Sequence, residues 1–506
     1  MRLPHGLVRF VSNRLEARQL ALHADAARAQ ERLLGRILDT YRSTEIGRAM
    51  GIADVRSVEA FRREVPVRGG DAYQAHWSKV LTSNPPGFLH EKPLKYVAVS
   101  SGSTGAQKPV PVPAELLASY RRFTNHLFFH AFRELGRYDI FDGHVLVAAG
   151  PAVKEIAPSG VLVGFGSGIA SVESPRFARS IVKPSAATQG IHDRDAKLAA
   201  IAEEAMSLDV RACSGIPASA IAMFERVLGE ARARGRSAET MRELYPNLAL
   251  YGYSGMSIEP YRARLRELLG ADVPTYEVYS STESPIAFQY RLGEPGMIVD
   301  LSCVVLELVP VDSPDTPRIG LADAEPGREY SVVITSPGGM FAYSLGDRIR
   351  VASTSPYVIE FARRGTDEIN YAGEKLELGL LRDALRAVLA ESGAQAGPFV
   401  VMPTERSQGR AAGYELVLEL DDVPRDLAAR VDARLRSTQY NYAAMRADDS
   451  AIGALVVRAL PRGTLEKFLH TEKVFGHAKL PEVQNDRSVL PGILAAAAAL
   501  EGERSR

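Results

Sequence analysis

The sequence predicts an α/β protein with a large N-terminal body and a small C-terminal α+β domain. Three observations carry this expectation. The chain has 506 residues, and a single hydrophobic core stops growing beyond roughly 250–300 residues, so two or three domains follow. Short β-branched runs alternate with longer amphipathic patterns through most of its length. Near Phe361 that alternation gives way to a polar stretch, after which a self-contained set of strands and helices begins.

Taken in order, Ala27, Leu33, Leu34, Ile37 and Leu38 recur at helical spacing and predict an amphipathic helix over 26–38. Strands are expected at 95–100, 145–149, 248–252, 275–280, 303–309 and 331–335, with helices at 113–135, 194–207, 218–234 and 258–269 between several of them. Such alternation makes a layered α/β body, and the continuously apolar strands suggest sheets covered on both faces. A strand at 357–361 closes the body, and the polar residues from Arg363 to Asn370, followed by Gly373, read as a hinge. The expected division is therefore 1–362, hinge 363–376 and lid 377–506. The small domain should contain helix 376–391, strands 398–402 and 414–420, helix 425–436, strand 454–460 and helix 463–475, with a frayed end from Glu501.

Composition excludes several function classes. Basic and acidic residues number 61 each, so no global cationic field exists to hold a nucleic acid. Only 11 of the basic residues are lysines, which makes their positions informative. Cys213 and Cys303 lie far apart within apolar stretches, which rules out a disulfide framework or cysteine zinc site and suggests a reducing, cytoplasmic setting. The longest apolar tract, 493–500, is too short to cross a bilayer, so no membrane partner is expected. Arg2, Arg9, Arg14 and Arg18 interrupt the N-terminus, which reads as mature protein rather than a signal peptide.

Five polar segments punctuate this framework. Ser100, Ser101, Gly102, Ser103, Thr104, Gly105 and Lys108 form a small-residue loop after a strand and before a helix. Its backbone could curl round an oxyanion and Lys108 would add charge, although the spacing is not that of a Walker A loop. Tyr279, Thr282 and Glu283 end a strand, where α/β sheets collect ligands; a Ser/Thr turn is the other reading. Asp347 follows Gly346 in a turn, where a carboxylate could accept two hydroxyl hydrogen bonds or simply face solvent. The remaining two are 364–376 and 476–481, either of which could be a surface loop. No HExxH or GxSxG appears. His126 and His130 stand at i, i+4 in an otherwise aromatic helix, for which packing or pocket lining is preferred to zinc.

In their order and spacing these segments resemble the adenylate-forming, firefly luciferase-like superfamily. They are most similar to the acyl acid amido synthetases, the auxin-responsive Gretchen Hagen type of plants with relatives in bacteria. The resemblance extends over nearly the whole chain, through Thr44–Gly47, Phe61–Val67, Ser254-Gly255-Met256, Tyr343–Asp347, Gly373–Leu376 and Gly476–Pro481. It implies a multi-sheet adenylate-forming domain with a small mobile C-terminal domain. It further implies ATP and Mg²⁺, a small carboxylic acid, and an amino acid or other amine as acceptor.

Position by position, the resemblance implies that Ser100 to Lys108 wraps the ATP phosphates. Ser254, Gly255, Met256 and Tyr279 would line the adenine, Thr282 would reach the α-phosphate, and Glu283 would hold Mg²⁺. Asp347 would bind the ribose with Arg364 beside it, and Lys479 would swing in from the small domain. Phe123, His126, Leu127 and Phe165 are the candidates for an apolar acyl pocket. Two positions depart from the family pattern: Ser254 stands for a glycine and His477 for a glutamine. An acyl-CoA ligase sharing the adenylation step, or a nucleotide- or acyl-binding regulator without turnover, are the competing readings.

Overall fold

A computed structural model describes residues 4–506 apart from 101–107, 175, 256–257, 259–260, 315, 365–367, 372–373, 375, 395–396, 405–411, 448–450, 472–481, 485 and 505–506. They fall into two compact units, one within Met1–Ser100, Gln107–Gly255 and Tyr261–Gly365, the other chiefly within Thr366–Arg506.

The first unit is built on a sheet of twelve strands among the described residues. Five of them, Val182–Lys183, His144–Ala148, Val210–Gly215, Leu250–Ser254 and Thr275–Ser280, are parallel neighbours in that order. Parallel pairing needs a crossover, and helices Arg194–Ala205, Pro217–Ala233 and Arg262–Leu269 supply it. From Pro285–Gln289 onward, through Met297–Val299, Tyr357–Arg364, Met340–Thr354, Glu329–Ser336, Val305–Pro310 and Ile319–Gly320, the pairing is antiparallel. The sheet thus changes character between Ser280 and Pro285, where the chain turns back within four residues. Pro285–Gln289 and Met297–Val299 are buried throughout, as continuously apolar strands require.

A second, four-stranded sheet carries the hairpin Tyr96–Ser100 and Lys108–Val112, with Ser100 opposite Lys108. This corrects the expected strand-to-helix passage, because a strand intervenes before helix Ala114–Leu135. The strand is hard to see in sequence because Pro109 and Pro111 lack N–H donors. Such residues are tolerated at a sheet edge, and this strand is the edge.

Helix Ala26–Tyr41 buries Leu33, Leu34, Ile37, Leu38 and Tyr41, and Tyr41 donates its hydroxyl to Pro337 O at 2.5 Å. A preceding helix, His5–Ala24, escaped the sequence reading because its buried stripe includes Ser12, Glu16, Gln19 and His23 rather than an apolar row. The strand expected to end at Phe361 continues to Arg364, so Arg363 and Arg364 belong to it and not to a polar connection.

In the second unit Phe399–Pro403 pairs antiparallel with Tyr414–Glu419, which pairs parallel with Val456–Leu460. Helices Leu378–Glu391, Leu427–Thr438, Tyr440–Arg446 and Thr464–Thr471 accompany this sheet. The expected frayed end is instead helix Leu490–Arg504, whose Ile493, Ala496 and Ala497 share a core with Leu465 and Phe468. Among the described residues, no helix is long and apolar enough to cross a membrane.

Candidate active site

The turn where the sheet changes from parallel to antiparallel carries Thr282 and Glu283. Ser281 N–H donates to Ser284 O at 2.9 Å, and Ser284 N–H donates to Ser281 Oγ at 3.2 Å, which locks the turn from within. Tyr120, on helix Ala114–Leu135, donates its hydroxyl to Ser281 O at 2.5 Å and reaches Thr282 O at 3.1 Å. Glu283 is buried and accepts a hydrogen bond from Tyr343 Oη at 3.3 Å. Burial, reinforced by the Glu283 charge, pushes the phenol pKa of both Tyr120 and Tyr343 well up, so both stay protonated donors at neutral pH.

Tyr343 sits on a bent strand. Ala342 before it has φ +47°, a left-handed conformation that costs a non-glycine residue about 1–2 kcal/mol. It is held there by Thr335 Oγ1, which accepts from Ala342 N–H at 2.9 Å, and by Arg68 N–H, which donates to Ala342 O at 3.0 Å. Gly70 packs against the same place: a Cβ added there would lie 2.9 Å from Lys108 Nζ and 3.2 Å from Tyr343 Oη. The ammonium of Lys108 and the phenol beside Glu283 therefore share one small patch.

Asp347, four residues beyond Tyr343 on strand Met340–Thr354, is buried and accepts from Tyr279 Oη at 2.7 Å, although three strands separate the two residues in the sheet order. Gly346, with φ +76°, makes the preceding bend, and Asp347 stands opposite Arg364 across the hairpin. The Tyr279 ring meets Phe361 edge-on at 5.6 Å. On the neighbouring parallel strand Ser254 is in register with Val278, and Gly255 turns away with φ +84°. Glu283, Thr282, Tyr279, Asp347, Ser254 and Gly255 thus gather at the C-terminal edge of the parallel strands, where α/β sheets bind ligands. Ser100 lies at the end of its hairpin strand. Ser101 to Gly105, Met256 and Lys479 lie outside the described residues.

The four acyl-pocket candidates do not come together. Phe123 is buried in the core against Phe288 with ring centroids 5.6 Å apart, and Leu127 packs on the same cluster. Phe165 packs on a different cluster. His126 Nδ1 is 2.7 Å from Asp300 Oδ2 and also contacts Gln19, so it knits the first helix to the sheet. His130 is similarly occupied, 2.7 Å from Glu16 Oε2 and 2.7 Å from Tyr290 O. Among the described residues no group of three or more His, Cys, Asp or Glu side chains could hold a metal ion. The apolar cavity lies on another face of helix Ala114–Leu135, between Tyr120, Phe128 and Phe132 on one side and Ala170, Ala178 and Ile181 on the other.

Comparison with known families decides what this arrangement belongs to. The GH3 family N-terminal domain matches residues 16–200, its central domain 297–364 and its C-terminal domain 380–488. The chain belongs to the GH3 family. Among similar GH3 proteins is the jasmonoyl-L-amino acid synthetase JAR4 of Nicotiana attenuata, 22% identical over 88% of this chain and 89% of that protein. Another is the probable indole-3-acetic acid-amido synthetase GH3.12 of Oryza sativa subsp. japonica, 24% identical over 92% of each. In fold, this GH3 chain is similar to the AtGH3.15 acyl acid amido synthetase in complex with 2,4-DB, with a TM-score of 0.60 at 17% identity over 94% of this chain and 95% of that one. It is also similar to a 2-hydroxyisobutyryl-CoA ligase, with a TM-score of 0.54 at 16% identity over 95% and 93%. The adenylate-forming fold anticipated from the sequence is therefore the one observed.

Proposed function

We propose that this GH3 protein is an ATP-dependent ligase that activates a carboxylic acid as its acyl-adenylate and passes the acyl group to an amino acid or another amine. The observation that carries the reading is the Thr282–Glu283 turn at the change of sheet direction, clamped by Tyr120 and Tyr343 and flanked by the Asp347–Tyr279 pair.

The chemistry sets the demands. A carboxylate oxygen attacks the α-phosphorus of ATP, the bond to the bridging oxygen breaks, and pyrophosphate leaves. The amine nitrogen then attacks the acyl carbon, AMP leaves with the carbon–oxygen bond's electrons, and the amine's proton passes to solvent. No enzyme nucleophile is needed, but two anions must approach each other, so positive charge and fixed donors are required.

In this reading Ser100 to Gly105, with Lys108, hold the phosphates, and Thr282 faces the α-phosphate. Asp347 accepts from the ribose hydroxyls, with Arg364 at the same rung. Tyr279, hydrogen-bonded to Asp347, positions that carboxylate as well as bordering the adenine with Ser254, Gly255 and Met256. Glu283 suits Mg²⁺ as a single protein ligand: it is a buried carboxylate whose described partner is one neutral phenol, and Mg²⁺ ordinarily takes one or two carboxylates together with phosphate and water. When bound, Mg²⁺ would neutralise phosphate charge. Lys479 is assigned to the α-phosphate and the acyl carboxylate. The hinge expected at 363–376 begins after Arg364, which ends the body's strand, and leads into a lid of 377–506. The acid's tail occupies the cavity beside Tyr120. A reducing cytoplasmic setting agrees with two buried free thiols, Cys213 and Cys303.

The test is hydroxylamine trapping and pyrophosphate release with ATP, Mg²⁺ and a broad panel of carboxylic acids, followed by amines, amino acids and CoA on any acid that responds. Acid-dependent pyrophosphate release with amide product is expected. Thioester formation in place of amide would move the protein to the acyl-CoA ligases. ATP binding with no pyrophosphate release under any acid would leave a nucleotide-binding regulator.

A further inference from the structure

We infer that Gly70 is a positioning residue for the adenylation step, because the side chain it lacks would stand where the ammonium of Lys108 rests. This rests on the reading of Lys108 as a phosphate contact. The backbone gives no reason for a glycine. Gly70 precedes helix Asp71–Thr82 with φ −57° and ψ −31°, right-handed values open to any L-residue. At such a position alanine restricts the unfolded chain and ordinarily stabilises the fold.

The space gives the reason. A Cβ at Gly70 would lie 2.9 Å from Lys108 Nζ, 3.3 Å from Lys108 Cδ and 3.2 Å from Tyr343 Oη, all closer than a relaxed carbon contact of about 3.5 Å. At Gly69, one residue earlier, the same addition meets nothing within 4 Å. The crowding is therefore a property of Gly70 and not of a turn that is tight throughout.

Of the two neighbours, the lysine would yield. Tyr343 is held on several sides: its hydroxyl donates to Glu283 at 3.3 Å, and its ring meets Tyr73 at 5.6 Å and Trp77 at 6.1 Å. Tyr73 Oη in turn donates to Phe341 O at 2.9 Å and accepts from Phe341 N–H at 2.8 Å, which fixes the strand just before Tyr343. Lys108 begins the edge strand beside which helix Asp71–Thr82 packs; it is half-buried and, among the described residues, has no hydrogen bond or ion pair. With three donors and no internal acceptor, its ammonium is placed by packing, and the bare backbone at Gly70 is the wall it packs on. A methyl group there would push the charge off its place while leaving the Thr282–Glu283 turn and its tyrosines standing. Positive charge must meet the phosphates as transition-state charge develops, and a displacement of ~1 Å can cost about a hundredfold, so the glycine acts on rate through the lysine.

The experiment compares full-length Gly70→Ala, Gly69→Ala, Lys108→Ala and the double variant Gly70→Ala/Lys108→Ala with wild type. It reads acid-dependent pyrophosphate release, ATP binding by calorimetry and melting temperature. Gly70→Ala should melt at or above the wild-type temperature, bind ATP about three- to tenfold more weakly and lose about tenfold or more in kcat/KM, whereas Gly69→Ala should match wild type in binding and rate. In the Lys108→Ala background the added Gly70→Ala should change rate and ATP affinity by less than about twofold, since residues acting through one contact are not additive. Losses of equal size in both backgrounds would overturn the inference. So would a Gly70→Ala protein within about twofold of wild type, or one that melts well below it, the mark of a glycine needed only for packing. A Lys108→Ala protein with full ATP affinity and rate would remove the phosphate contact and the inference with it. Absence of pyrophosphate release with every acid would remove the ligase reading, and ATP binding across the same variants would then decide the inference alone.

Discussion

Replacing Tyr120 by Phe keeps the ring that lines the cavity and removes only the hydroxyl that holds the Thr282–Glu283 turn. In the native protein that hydroxyl is 2.5 Å from Ser281 O and 3.1 Å from Thr282 O, so one donor serves two carbonyls and the first bond carries most of the energy. Losing it leaves a half-buried acceptor short of its donor, at a cost near the low end of about 1–3 kcal/mol. For a unit of this size the melting temperature should fall by only a few degrees. The effect on rate should be larger than the effect on stability, because Thr282 and Glu283 lose an external anchor and a displacement of ~1 Å at reacting groups can cost about a hundredfold. A 10- to 100-fold loss in kcat/KM for acid-dependent pyrophosphate release is expected, with little change in ATP binding. Because burial first, and the Glu283 charge second, keep this phenol protonated, the loss should be the same across neutral and mildly alkaline pH. Pyrophosphate release within twofold of wild type, in a variant whose melting temperature does fall, would show that the turn's position does not govern the chemistry.

Asp347→Asn preserves shape but removes the charge that Tyr279 supports at 2.7 Å, and should weaken ATP binding by calorimetry about 10- to 100-fold, with Tyr279→Phe giving a smaller loss in the same direction. Equal ATP affinity in all three proteins would contradict the ribose assignment. Gly346→Ala forces a side chain onto φ +76° and should lower unfolding free energy in urea by about 1–2 kcal/mol; no change would mean that the bend relaxes freely. His23 gives a pH dependence. Burial holds it neutral, lowering its pKa from 6.5 to about 4, and Tyr357 N–H donates to Nδ1 at 3.0 Å. A native pKa below the unfolded one means stability present above pH ~6.5 and lost as pH falls toward ~4. Between pH 7 and 5 this amounts to about 2 kcal/mol, visible as a falling urea midpoint that His23→Gln should flatten. An identical slope in the variant would assign the loss to other groups.

What the sequence could reveal depended on whether apolar periodicity reported the buried face. Helix Ala26–Tyr41 was legible because its buried stripe is largely Leu and Ile. Helix His5–Ala24 was not, because much of its contact with the body is made by polar side chains, among them Glu16 to His130 and Gln19 to Asp300. Strand Lys108–Val112 was hidden by its prolines, which a sheet edge accommodates. Helix Ala114–Leu135 is legible, but it is aromatic on more than one face, so nothing in its pattern separates Phe123, which meets Phe288 in the core, from Tyr120 and Phe128, which line the cavity. Phe123, His126, Leu127 and Phe165 do not line that cavity. Tyr279, Thr282 and Glu283 are different: they stand together as polar punctuation at one strand end, whereas Asp347 lies within strand Met340–Thr354, three strands removed in the sheet order, and its bond to Tyr279 spans 68 positions that spacing does not encode. Tyr343 stood in the same segment as Asp347, yet its bond to Glu283 spans 60 positions and depends on the bend at Ala342, which spacing alone does not encode.

The most direct test of acyl-adenylate formation followed by amide transfer is oxygen tracing. A responsive acid labelled with ¹⁸O in both carboxylate oxygens is turned over with ATP and its amine, and the AMP is examined by mass spectrometry. Attack of the carboxylate on the α-phosphorus, followed by attack of the amine on the acyl carbon, should leave one ¹⁸O in AMP and one in the amide. AMP without label, or label in phosphate or pyrophosphate, would contradict the account.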